Sequence, residues 1–249
     1  VRPALRDGSE GTEEINVDAP KSILLYRYLD AKAALKTIES RLLRISRLRD
    51  LNDPFESRIG VTGVIPGKEP LAHNWLDSIL ERQNTMYGFI CFSDTSRESV
   101  LWSHYADKHK GVALEVRFDY DPEGIIEMRY LHERPTIDAS IYVKLSQDES
   151  GLNNYVSPLI KRMIRQKSPG WAYEREYRIA FDLQKNKDLV MSDGHYFERI
   201  PDNFLIRVIL GWRCPLEESY VAKALAASGL ASTKVVRAKM SLDTYAVEC

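Results

Sequence analysis

Two glutamates separated by a single residue, Glu174 and Glu176 in PGWAYEREYRIAF, form the most chemical pattern in the chain. In an extended segment Glu174, Glu176 and Arg178 point to one face, and Tyr173, Arg175 and Tyr177 to the other. Carboxylates two residues apart repel, so at least one needs a cationic or hydroxyl partner. Such a pair supplies an acid or base, or a fixed anion that opposes a developing cation. Cross-strand salt bridges at a sheet edge would use the same residues. Arg27 lies in the middle of LYRY, with Tyr26 and Tyr28 on the opposite face of the strand. An Arg in an apolar strand needs a carboxylate or phosphate partner.

A third cluster is CFSDTSRESVLWSHYADKHKG. A buried strand delivers Ser93 to a loop, where its hydroxyl is suited to a ligand. Ser96 or Thr95 then caps a helix carrying Trp102, His104, Tyr105 and His109. His104 is the best general-base or base-stacking candidate among the five histidines. The density of Trp, Ser, His and Tyr marks a pocket wall, although a helix cap and an aromatic core stripe would use the same residues. In RLRDLNDPFES, Asn52, Asp53 and Pro54 form a turn, which places Asp53 or Glu56 to answer Arg47, Arg49 or Arg27. The chain has no G-x-S-x-G elbow, no Gly-rich phosphate loop and no H-E-x-x-H or other metal spacing. FDYDPEG reads as a hairpin turn rather than a calcium loop.

The elements that position these residues follow from apolar periodicity and turn signals. Strands are expected at Ile23–Tyr28, Leu42–Ser46, Ile59–Ile65, Tyr87–Ser93, Gly111–Phe118, Gly124–Tyr130, Glu176–Phe181 and Leu205–Gly211, and again from Lys234 to the end. Helices are expected after the cap Asp30, over PLAHNWLDSILERQ, over Ser96–His109, over Ser146–Gln166 with a break at Pro158, and over PLEESYVAKALAAS. Strands and helices do not alternate strictly. The expected fold is therefore α+β, with a split, largely antiparallel sheet flanked by helices. Residues 1–20 read as a mobile polar tail and residues 21–249 as a single domain.

The 249 residues carry 35 Lys and Arg against 36 Asp and Glu, a net charge of -1, which argues against a generally basic nucleic-acid coat. RLLRISRLRD and LIKRMIRQK are locally basic, so a nucleic-acid-binding or sensing module without catalysis is the alternative class. Three cysteines are too few for a disulfide scaffold and fit a reducing cytoplasm. No apolar run approaches the ~18 residues of a membrane span.

The order LYRY, LRDLNDPFE, CFS, LWSHYADKHKGVALEV, WAYEREYR, VILG resembles a widespread bacterial family of domains of unknown function. Its pattern is a Y-x-Y start, an N-D-P-F-[ED] turn, a C-F-S…W-x-H-Y-A-x-x-H-x-G block and a W-x-Y-E-x-E-x-R block, here spanning Leu25 to the C-terminal strands. The order Arg27, Ser93, Glu174-x-Glu176 also resembles ADP-ribosyltransferases of the Arg-Ser-Glu type, which have a split β-sheet. This second resemblance implies NAD as substrate, with a macromolecular acceptor, either protein or nucleic acid. It also implies a role as a toxin or anti-phage defence effector, and it includes simple NAD glycohydrolysis. Arg27 would then hold an NAD phosphate and Ser93 would support the nicotinamide ribose. Glu176 would stabilise the oxocarbenium-like transition state, and Glu174 would orient or deprotonate the acceptor. Tyr26, Tyr28, Trp102 or Tyr105 would stack on nicotinamide or adenine, with His104 beside them. CFS stands where that type has Ser-Thr-Ser.

Overall fold

The computed structural model describes residues 22–56, 58–63, 69–118, 124–139 and 162–249. The expected tail over residues 1–20 and most of the helix expected over 146–166 lie outside these residues.

β1 (Ile23–Leu29) is followed by α1 (Ala31–Ser40) and β2 (Leu42–Arg47). The Asp30 side chain caps α1 by accepting from the Ala33 amide at 2.8 Å, as its position ahead of the helix requires. Ala34 and Ile38, one turn apart, bury the inner face of α1. β3 (Gly60–Thr62) and α2 (Glu69–Met86) lead to β4 (Tyr87–Ser93), α3 (Ser99–Tyr105) and β5 (Val112–Phe118). Short strands β6 (Ile125–Glu127), β7 (Arg129–Tyr130), β8 (Thr136–Asp138) and β9 (Gln166–Lys167) precede β10 (Glu176–Asp182). Then come β11 (Val190–Ser192), β12 (His195–Arg199), β13 (Leu205–Leu210), α4 (Glu218–Ala227) and β14 (Lys234–Arg237).

The main sheet runs β11-β12-β2-β4-β1-β5-β13-β14, with β10 on β4 and β6 on β10. Its pairs are antiparallel except β13 with β14. The fold is thus α+β, with a mixed, mostly antiparallel sheet. β4 is the branch point. β10 pairs with it along its length, from Glu176↔Ser93 to Asp182↔Tyr87. Its other neighbours are β1 at Tyr26↔Ser93 and β2 at Ser46↔Phe89 and Arg47↔Gly88. β1 and β2 splay apart between these points, and the sheet forks.

One face of the sheet carries Leu25, Leu43, Ile45, Ile90, Phe92, Leu114 and Val208, which pack with Ile38, Val221 and Leu225 of α1 and α4. Trp102 and Ala106 pack with Ala113, Ile209, Tyr26 and Tyr28 in a second cluster. Strand alternation sends Tyr26, Tyr28, Ala113 and Ile209 to the face opposite Leu25 and Leu114.

Four local expectations are corrected. α3 starts at Ser99, not Ser96, and its cap is Glu98, whose carboxylate accepts from the Val100 amide. The helix also stops at Tyr105, because Asp107, Lys108 and His109 all take positive φ and cannot continue it. β5 and β6 are not a hairpin. β5 pairs with β1 and β13, whereas β6 pairs with β10. The segment around Glu174 is not extended either. Residues Pro169–Glu174 form a 3-10 turn, Arg175 is left-handed at φ 45°, and the strand begins at Glu176.

Candidate functional site

The fork in the sheet opens into a cavity of about 220 Å³. Tyr26, Arg27, Tyr28, Ser93, Tyr105, Glu174 and Glu176 all line it. The register explains much of this convergence. Tyr26 lies opposite Ser93 across β1 and β4, and Ser93 lies opposite Glu176 across β4 and β10. Residues directly opposite in antiparallel strands point to the same face, so the three side chains form one row.

Arg27 reaches the cavity from the other face of β1, through the gap of the fork. Its guanidinium donates to the Cys91 carbonyl of β4 and the Arg44 carbonyl of β2, each at 3.1 Å. It thus bridges the strands where they no longer bond to each other. The carboxylate expected for it is not found: among the described residues no ion pair is formed by Arg27. Burial, with the neighbouring Arg44 cation, lowers its pKa.

The cavity is also lined by a buried charge cluster that only partly follows the expected pattern. Glu176 is held by Arg178 through Nε at 2.7 Å and Nη2 at 2.9 Å. Lys167 reaches Glu174 at 2.5 Å, Glu176 at 3.0 Å and Glu56 at 3.7 Å. Arg178 also contacts Glu56. The Tyr105 hydroxyl donates to Glu174 Oε1 and accepts from the Asn52 amide at 2.7 Å. Three carboxylates thus face two cations. Arg178 is fully buried, at 0% exposure, and a buried cation of this kind persists only when paired.

Glu176 sits at a pKa of about 2: burial opposes its ionisation, but Arg178 and Lys167 outweigh burial. Glu174 and Glu56 are raised, chiefly by burial, against the pull of Lys167 and the Tyr105 hydroxyl on Glu174 and of Arg178 and Lys167 on Glu56. Burial works against the Lys167 charge as well, yet the three carboxylates hold its pKa up. Burial followed by the Glu174 hydrogen bond pushes the Tyr105 phenol up. Tyr130, whose hydroxyl accepts from the Glu176 amide at 2.8 Å, is pushed up to about 12, mainly by burial.

Two expected site residues lie elsewhere. Trp102 is wholly buried behind Tyr28, edge to face at 5.2 Å, and its Nε1 donates to the Ser96 carbonyl. His104 is exposed, and its Nδ1 meets the Tyr173 hydroxyl at 3.0 Å. Helical spacing is the reason: Leu101 and Tyr105, four apart, take the cavity side of α3, so Trp102 turns inward and His104 outward. Glu56, Lys167 and Arg178 complete the cluster beyond the expected set. The turn offers Asp53 or Glu56 to Arg47, Arg49 or Arg27; Glu56 answers Arg178 and Lys167 instead. The buried Asp53 fixes the turn that delivers it, accepting from the Phe55 amide at 2.9 Å.

Fold and site together define an α+β protein with a forked sheet and a cavity lined by an anchored guanidinium and a carboxylate-rich cluster. Among the described residues no His, Cys, Asp or Glu group is arranged to hold a metal ion, and no helix is long and apolar enough to cross a membrane. The chain is similar over residues 101–179 to a family described as protein of unknown function (DUF2971). That span holds Tyr105, Lys167, Glu174, Glu176 and Arg178. Tyr26, Arg27, Glu56 and Ser93 lie outside it, so it is narrower than the expected span from Leu25 to the C-terminal strands. No curated protein and no solved structure matches the chain.

Proposed function

We propose that the cavity binds NAD and breaks its nicotinamide–ribose bond, in ADP-ribosyl transfer to a macromolecule or in hydrolysis with water as acceptor. The observation that carries this reading is the row Tyr26, Ser93, Glu176 on three adjacent strands, with Arg27 and Glu174 on the same cavity.

Each group has a physical task. The bond from ribose C1′ to the pyridinium nitrogen breaks, and its electron pair goes to that nitrogen, so neutral nicotinamide leaves. Positive charge grows at C1′, and the ionised Glu176 opposes it. Its charge is shared with Arg178 and Lys167, but the cluster keeps an excess carboxylate. The acceptor forms the new bond at C1′, and its proton passes to Glu174. A buried carboxylate with a raised pKa is suited to take it up. Arg27, bonded among the described residues only to backbone carbonyls, has its charge available for a phosphate. Tyr26, Tyr28 and Tyr105 offer aromatic faces to the rings.

The test is incubation of the purified protein with NAD, with and without cell lysate. Nicotinamide release is expected from the wild type and not from Glu176→Gln, while NAD still raises the Tm of both. Release that needs lysate indicates a transferase, and release without it a glycohydrolase. Equal turnover by both proteins overturns the role of Glu176. No release and no Tm shift under any condition overturns the reading.

A further inference from the structure

Lys167, the last residue of the basic run LIKRMIRQK, stands outside the E-x-E and LYRY segments, yet among the described residues it is the only side chain that touches both glutamates. Its Nζ donates to Glu174 Oε2 at 2.5 Å and to Glu176 Oε2 at 3.0 Å. The same ammonium lies 3.7 Å from Glu56 and 5.0 Å from the centre of the Trp171 ring. It is buried, so these contacts are not shared with bulk water. Tyr105 and Arg178 divide the glutamates between them: Tyr105 reaches only Glu174, and Arg178 reaches Glu176 and Glu56.

We propose that Lys167 is a positioning residue that draws Glu174 and Glu176 onto one ammonium and keeps both ionised side by side. Two carboxylates this close, buried and without a shared cation, have one pKa strongly raised, by repulsion and burial together. The reaction proposed above needs both as anions, one beside C1′ and one ready for the acceptor's proton. The charge count makes Lys167 decisive. Glu56, Glu174 and Glu176 face Lys167 and Arg178; without Lys167, three carboxylates face one guanidinium. Among the described residues the other titratable groups around the ammonium are Tyr130 and Tyr173, with Cys91 beside Glu176 and Arg178, and at neutral pH they are uncharged and do not replace it.

The test uses Lys167→Met, and Glu56→Gln with Lys167→Met, which restores the original charge balance. Infrared spectroscopy at pH 7 is expected to show a protonated carboxyl in Lys167→Met that is absent from the wild type and weakened in the double variant. Where the wild type releases nicotinamide, the acid limb of its pH profile is expected to move up in Lys167→Met by one pH unit or more, about a tenfold loss on that limb. The double variant recovers part of it. The activity arm rests on the NAD reading, whereas the infrared arm does not, so a protein that never turns over NAD still tests the role of Lys167. No new protonated carboxyl in Lys167→Met overturns the proposal. Should that variant not fold, nitrogen NMR of the wild type decides. An exchange-protected Lys167 ammonium that responds when the carboxylates titrate is expected, and its absence overturns the proposal.

Discussion

Arg178→Met should reverse the sign of the contribution that Glu176 makes to the pH dependence of stability. In the wild type Glu176 is held at about 2, against 4.5 for a free glutamate. At about 1.4 kcal/mol per pH unit, that difference is worth about 3 kcal/mol. A depressed carboxylate contributes its stability above the unfolded pKa and loses it as pH falls through the folded one. The wild type should therefore weaken between about pH 4.5 and 2 on this account. Arg178→Met removes the Nε and Nη2 bonds to Glu176 and the contact to Glu56. Lys167 is left to face three buried carboxylates, so Glu56 and Glu174, already raised in the wild type, rise further, and burial carries Glu176 above its unfolded value as well. The stability tied to a raised carboxylate is fully present below the unfolded pKa and is lost as pH rises through the folded one. The variant should be about 3–5 kcal/mol less stable at pH 7, the cost of breaking a buried pair from one side. Part of that loss should return as pH falls from 7 to 5. Urea unfolding at pH 5, 6, 7 and 8 measures both. A loss under about 1 kcal/mol, with the same pH slope as the wild type, would refute the claim that Arg178 compensates these carboxylates.

Tyr105→Phe removes the hydroxyl that donates to Glu174 Oε1, so Glu174 should protonate at higher pH and nicotinamide release should fall more at pH 6 than at pH 8. An equal fall at both would place Tyr105 outside the proton balance of Glu174. Gly111→Ala sets a Cβ 2.2 Å from the Leu29 carbonyl and 2.8 Å from the Ala106 carbonyl carbon. Both contacts are backbone, held by the β1–β5 pairing and the turn after α3, so a loss of about 1–3 kcal/mol is expected in urea unfolding. An unchanged midpoint would mean that this close approach relaxes freely.

The strands that build the fork were legible because apolar runs bounded by polar turns mark them. β1, β2, β4 and β13 match their expected bounds to within a residue. The β11–β12 hairpin was missed, although Asp193–Gly194, both at positive φ, is the usual turn signal for one. Tyr26, Arg27, Ser93, Tyr105, Glu174 and Glu176, which line one cavity, were legible as candidates because their residue types stand out in their segments. Their partners were not. Glu56 read as part of a local turn, and nothing near it in the chain indicates that it meets Arg178 and Lys167.

The charge balance of the E-x-E segment depends on its departure from strand geometry. In a continuous strand, Glu174 would stand on the Glu176 face one pleat repeat along, roughly 7 Å away. The 3-10 turn with left-handed Arg175 brings it round instead, so that both Oε2 atoms meet one Nζ. A left-handed non-glycine residue costs about 1 kcal/mol. The Arg175 side chain offsets part of this through its pair with Asp94 at 2.7 Å, and its carbonyl accepts from the Asp94 amide. Asp94 directly follows Ser93, so the contact that steadies the turn also ties it to the end of β4. The row of Tyr26, Ser93 and Glu176 and the position of Glu174 are therefore set by one junction, where β4 ends and β10 begins.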